Sequence, residues 1–299
     1  MHLHNICSGR FTISTDKRGV IAEFDNIITN GGLDRMAQNG DWMTWCQVGS
    51  GSSTPSALNT ALDARIGAVN TLQATTSGSQ AVEPYYTFRT RTYRFAPGLA
   101  TGNISEVGVG WASAGGLFSR ALILDGGGQP TTITVLADET LDVTYQFRFY
   151  PKTTDGTGTV TITGNSGATY TYIARAGNVA SNSPSQGWFV NTGGSQMNTA
   201  AGVSVYAGAI GPLTGFPASP VINLNNGATL QLGTYTPGSY SITFRVSLGL
   251  NDGNLAGGIR CVAGKLGIGA FQFQFTPAIP KLSTELLTLD FTVSWGRVA

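Results

Sequence analysis

The run Leu141–Tyr150 constrains this chain more than any other feature, because apolar and polar residues alternate along it without a break. Leu141, Val143, Tyr145, Phe147 and Phe149 fall on one side, and Asp142, Thr144, Gln146 and Arg148 on the other. A period of two belongs to a strand, since a helix would scatter the same apolar residues around its circumference. The pattern predicts a half-buried antiparallel strand with one face on a core. Tyr86–Phe95 alternates in the same way, with Phe88, Thr90, Thr92 and Arg94 on one side. Ile104–Ala112, Gly116–Leu124, Ser239–Leu248, Gly258–Val262, Gly269–Phe275 and Leu287–Trp295 also read as strands. Asp125-Gly126-Gly127-Gly128 and Gly164-Asn165-Ser166-Gly167 are turn signals, the second between Thr159–Thr163 and Thr169–Ala174. Near the start, Phe11–Ile13 and Gly19–Phe24 flank a polar turn, and Asn30–Ala37 is expected to form a short helix. Ser56–Ile66 places Ala57, Leu58, Ala61, Leu62 and Ile66 near helical spacing, which predicts a second one.

Charge narrows the reading. Charged residues make up 11% of the chain, under half the usual share of about 25%. Aromatic and β-branched residues are plentiful, so disorder is not expected. Residues 1–155 carry 11 Lys/Arg and 13 Asp/Glu, whereas residues 156–299 carry 6 and 3. A free-standing domain needs more surface charge than the second half has, which points to packing against sister subunits. Arg89, Arg91 and Arg94 form the densest basic cluster, but strand geometry puts Arg94 opposite the other two. With a net charge of +1 and no basic stripe, a nucleic-acid partner is not expected. No apolar run reaches the roughly 20 residues of a membrane span. Cys7, Cys46 and Cys261 are scattered and odd in number, as expected of thiols in a reducing cytoplasm. The opening residues lack a signal-peptide pattern, which implies synthesis in the cytoplasm.

Pro151–Thr157 breaks the strand pattern and divides the chain into 1–155 and 156–299. The halves echo each other. Thr140-Leu141-Asp142-Val143-Thr144 resembles Thr288-Leu289-Asp290-Phe291-Thr292, and Thr92-Tyr93-Arg94-Phe95 resembles Thr243-Phe244-Arg245-Val246. Gly102-Asn103-Ile104 likewise parallels Gly253-Asn254-Leu255. The fold class expected is all-β: two tandem antiparallel β-sandwich-like domains related by duplication, with minor short helices.

Signatures of catalysis, cofactor binding and metal binding are sparse. Nucleophile-elbow, phosphate-loop and zinc-protease motifs are missing, so neither an enzyme nor a cofactor is expected. His2 and His4 would share a strand face and could hold a metal weakly, but a frayed or subunit-contacting terminus is the simpler reading. A glycosidase needs two acids across a sugar. The candidate acids are Asp138, Glu139 and Asp142, then Asp252, Glu285 and Asp290, and they read as turn or strand-face residues. The residues that invite a binding role are Trp188, Phe189 and Tyr206, in a Gly/Ser/Asn-rich region where aromatic rings can stack on a glycan or anchor a receptor. The competing reading is a loop folded back on the sandwich and pinned by Trp188. Trp42, Trp45, Trp111 and Trp295 are expected in the core.

Three segments together resemble tail-associated structural proteins of tailed bacteriophages and prophages. They are Phe24–Asp34; Cys46–Ser52 with Thr54-Pro55 and Asn59–Leu62; and Ile104–Trp111, continuing through Leu117–Ala121 to Thr140–Tyr145. The resemblance spans roughly residues 20–151 and brings no catalytic residues. It implies a virion protein of the tail fibre or tail tip, made in the host bacterial cytoplasm. Its partners would be further copies of itself, as a homotrimer, other phage tail proteins, and a glycan or protein of the host surface. The alternatives are a capsid or neck decoration protein, a carbohydrate-active depolymerase, and a cellular carbohydrate-binding module. In the segments themselves, Gly31-Gly32 and Gly49–Gly51 suggest backbone geometry closed to other residues, and Arg120 is expected beside Glu106 on a neighbouring strand.

Overall fold

The computed structural model describes residues 1–38, 40–162, 167–191, 197–224 and 230–298. Strands make up most of it. In chain order the first half holds β1 (His2–Thr15), β2 (Gly19–Asp25), β3 (Ile27–Ile28), helix α1 (Asn30–Arg35), β4 (Trp45–Gly49), β5 (Arg65–Val69), β6 (Leu72–Gln80) and β7 (Tyr86–Phe95). It continues with β8 (Gly102–Ile104), β9 (Glu106–Gly110), β10 (Leu117–Leu122), β11 (Ile133–Val135) and β12 (Leu141–Tyr150). The second half holds β13 (Gly156–Ile162), β14 (Ala168–Ala176), β15 (Ala200–Tyr206), β16 (Ile222–Leu224), β17 (Leu230–Leu232), β18 (Ser241–Leu248), β19 (Ile259–Leu266), β20 (Gly269–Ile279) and β21 (Leu287–Arg297).

The all-β expectation holds, and the halves are joined through a shared sheet. An eight-stranded sheet runs β17-β18-β21-β1-β12-β7-β6, with β2 also paired to β1. β1 lies between the halves, antiparallel to β12 and parallel to β21. Over one face of this sheet lie a five-stranded sheet of order β3-β10-β9-β4-β5 and a six-stranded sheet of order β13-β14-β20-β19-β15-β16. Trp42 bridges the first pair of layers, 4.4 Å from the Phe118 ring and 4.8 Å from Phe147. In the second, Phe273 lies 4.4 Å from Phe291. Alternation explains the arrangement. Leu3, Cys7, Phe11, Val143, Phe147, Phe291 and Val293 are buried on the covered face, while the intervening residues form an open polar face.

The two halves repeat one topology. β14-β20-β19-β15-β16 reproduces β3-β10-β9-β4-β5, and β21-β18-β17 reproduces β12-β7-β6. Because β12 and β21 run in opposite directions on either side of β1, a pseudo-two-fold axis normal to the sheet relates them. The echoed residues coincide. Arg94 pairs with Asp142 and Arg245 with Asp290. Thr92 meets Thr144 at 2.8 Å and Thr243 meets Thr292 at 3.0 Å. The third echo does not carry over: Gly102–Ile104 is β8, whereas residues 253–255 lie outside any strand.

Other expectations need correction. Residues 56–64 form turns and irregular chain rather than a helix, and residues 65 and 66 already belong to β5, because Asn59, Asp63 and the backbone there are bound by buried charges described below; Leu58 is 77% exposed. β1 is far longer than Phe11–Ile13 and begins in the middle of a sheet, so His2 and His4 are not frayed. They do share a face, and both rings meet the Ser294 hydroxyl at 2.8 Å. Trp42 and Trp295 are core residues, whereas Trp45 and Trp111 are half-buried. Asn30–Arg35 is helical, two residues shorter than expected. The β13–β14 hairpin pairs Ile162 with Ala168; residues 164–166 of its turn signal lie outside the described residues.

Candidate binding site

Trp188 is fully buried. Its indole is tilted against Phe149 and meets Phe271 edge-on, and its Nε1 donates to the Gly177 carbonyl at 2.8 Å. Phe149 belongs to the first half, so Trp188 is a strut between repeats and offers no ring to a ligand. Phe189 is half-buried beside it. Tyr206, only 5% exposed, packs with Cys261 and Ala263, and burial raises its hydroxyl pKa. The edge of Tyr206 reaches a groove of about 620 Å³ on the outer face of the six-stranded sheet. Gln186, Ser204, Phe216 and Pro220 line it as well. Of the three aromatics, then, one lines a groove, and the Trp188 loop supplies a wall through Ser185 and Gln186. Small polar groups over an aromatic floor suit a neutral ligand.

The second concavity follows from the topology. β21 accompanies β1 from His2 to Cys7, and β2 accompanies it from Arg10 to Thr15. Between them the sheet is interrupted, leaving a cleft of about 880 Å³. Gly9 forms its floor, and a Cβ there would collide with the Tyr145 hydroxyl and Asn26 Oδ1. Arg10, Arg120, Arg148 and Arg297 line the cleft, against one carboxylate, Asp25. Arg10 is paired with Glu23. Arg148 lies 4.8 Å over the Tyr86 ring and donates to Gln146. Arg297 donates to Asn30. Sequence reasoning overlooked this site because its parts lie far apart in the chain. A local signal existed: Arg148 and Tyr150 end the polar side of the alternating strand.

Arg120 organises the segments behind the cleft. Both it and Glu106 have fully buried side chains, and the pair closes at 2.9 Å. Arg120 also reaches Asp63 at 2.7 Å, Asn59 Oδ1 at 3.1 Å and the Ser53 carbonyl at 3.3 Å. Glu106 accepts from the backbone N–H of Gly51, Asp63 and Ala64. Ser53, and then Arg120, hold the Asp63 carboxyl below its usual pKa. None of Gly32, Gly49 and Gly51 has positive φ. Their requirement is room: a Cβ would strike the Phe118 carbonyl at Gly32, and Glu106 Oε1 at Gly49 and Gly51. Thr29 caps α1 by accepting from Gly32 N and donates to the Leu117 carbonyl.

Four of the six acids named for hydrolysis are engaged in ion pairs, and the other two, Asp252 and Glu285, lie apart from them in separate turns. Lys17 binds Asp138, Arg18 binds Glu139, Arg94 binds Asp142 and Arg245 binds Asp290. The Leu136 backbone and Arg18 lower the Glu139 pKa; Lys17 lowers that of Asp138 and Arg245 that of Asp290. A general acid needs the opposite displacement. Arg91 turns inward to Asp41 at 2.7 Å. Among the described residues no three His, Cys, Asp or Glu side chains gather as a metal site. No helix of the described chain is long and apolar enough to cross a membrane. Comparison with protein-family models, with curated proteins and with solved structures gave no match.

Proposed function

We propose that this chain is a structural protein of a bacteriophage tail, at the fibre or tip, which assembles as a homotrimer and contacts other tail proteins and the host surface. One observation carries the reading. The three segments that resemble tail-associated proteins converge on a single buried hub, although they are spread over about a hundred residues. The Thr29 N–H donates to the Phe118 carbonyl, Asn30 N–H to Ala57, and Ser105 N–H to Gly49. Arg120 and Glu106 tie the second and third of them together. The resemblance thus falls on one structural unit rather than on scattered strands.

Self-association is supported by the edge of the large sheet. β6 is uncharged, mostly exposed, and among the described residues paired only with β7. Edges of free-standing proteins usually carry Lys, Pro or a covering segment, since unpaired backbone groups recruit another strand. The sparse charge of residues 156–299 acts in the same direction. The engaged carboxylates favour binding over hydrolysis, and several weak sites on one particle would give avidity. Two measurements test this reading. Light scattering during size exclusion should give the mass of a trimer, and antibody labelling of phage particles should decorate the tail. A monomer at all concentrations, or label on the capsid alone, overturns it.

A further inference from the structure

We infer that the cleft at the β1 partner switch binds a saccharide carrying carboxylate or phosphate groups. The inference deepens the host-surface part of the proposed function and rests on it. The cleft has the volume for several sugar rings. Its charge is unbalanced: with Arg10 held by Glu23 and Arg120 by Glu106, Arg148 and Arg297 face a single carboxylate, Asp25. Guanidinium groups match carboxylate and phosphate in planar two-point contacts.

Aromatic rings complete the rim. Tyr150 lines the cleft, 5.5 Å from Tyr86, and Arg148 lies over Tyr86. Tyr rings present an apolar face with a polar edge, which suits a pyranose. A peptide adding as a strand is less well served. The β1 carbonyls at the gap are taken, Cys7 O by Val298 N and Gly9 O by Asn26 N, so an incoming backbone finds those acceptors occupied.

The test is calorimetric titration of the full chain with trigalacturonate, phosphorylated maltotriose, neutral maltotriose and hexaglutamate. At least one acidic saccharide should bind, weaken with added salt, and bind tenfold or more tighter than maltotriose. Arg148→Gln, whose polar contact is confined to Gln146 and whose ring contact is Tyr86, should lower that affinity about tenfold without changing the melting temperature. Arg297→Gln should act in the same direction, with melting recorded alongside because Arg297 also binds Asn30. Response to the uronate alone or the phosphate alone identifies the source of the anion, and either supports the inference. Four results would overturn it: no acidic saccharide binding, equal binding of maltotriose, affinity indifferent to Arg148→Gln, or binding of hexaglutamate only. The tail assignment fails separately, through particle labelling, so a tail protein with an inert cleft and a sugar-binding protein outside the tail are distinguishable.

Discussion

Single side chains here do work that their neighbours in sequence do not reveal. Arg120 and Glu106 are both fully buried and compensate each other; removing Arg120 strands the Glu106 charge, and removing Glu106 leaves Arg120 with the more exposed Asp63 alone. Glu106→Ala is therefore expected to cost about 3–5 kcal/mol in urea denaturation, and to loosen residues 51–64, whose N–H groups it accepts. Trp188→Ala should cost about 3–5 kcal/mol, as for other core aromatics; a loss of ligand binding with unchanged stability would contradict its role as a strut. Lys265 is a different case. Its ammonium is buried with the carbonyls of Gly187 and Ile268 as partners, and burial pushes its pKa down to about 7 from 10.5. Between those values the unfolded chain binds more protons than the folded one, so this group makes stability rise with pH from about 7 to about 10. Its destabilising effect is complete below pH 7. The stability difference between Lys265→Met and the wild-type chain should thus favour the variant most below pH 7 and shrink above it. A pH-independent difference would mean that Lys265 titrates normally. The Arg120–Glu106 contact was within reach of the sequence, because both residues lie in recognisable neighbouring strands. The Trp188 environment was not, since Phe149 and Phe271 reach it through tertiary packing alone.

Elements were legible where periodicity was strong and both faces differed. Leu141–Tyr150 formed the strand that its alternation demands. Residues 56–66 misled because an apolar spacing of three and four was built over ion-bound turns, where Leu62 alone of the central apolar residues is buried. The repeat was readable through its polar cross-strand pairs. Arg and Thr on one strand met Asp and Thr on the next in both halves, at neighbouring positions with a three-residue difference in the connecting segment. β6 carries the element-level prediction. Ala74 and Thr76 are exposed and lie on the open face, opposite Thr92 and Thr90. Lysine at both positions should block edge pairing and reduce the mass in solution to that of a monomer. Fold stability should change by no more than about 0.5 kcal/mol. Unchanged mass would place the subunit contact elsewhere.

The whole molecule departs from two beads on a string. A boundary at residues 151–155 is visible as a break between strands, yet β1 is hydrogen-bonded to both repeats, and Trp295 of β21 donates to the Leu33 carbonyl of α1. The sequence could not reveal this sharing, because nothing in the alternation of β1 names its neighbours. Unfolding should accordingly be one transition, coincident by tryptophan fluorescence and far-ultraviolet circular dichroism; two separated transitions would show the repeats to be independent. Residues 156–299 expressed alone should lack a stable fold, since β21 would lose its β1 partner and Trp188 its Phe149 neighbour. The shared strand also sets a timetable. β1 leaves the ribosome before β12, and β21 follows β12 only after the whole of β13 to β20 has been made. At about 5–20 residues per second, the edge awaiting β21 stays open for roughly 7–30 s of translation. Through that interval the nascent polypeptide exposes an incomplete sheet to every other chain in the polysome, until β21 closes it.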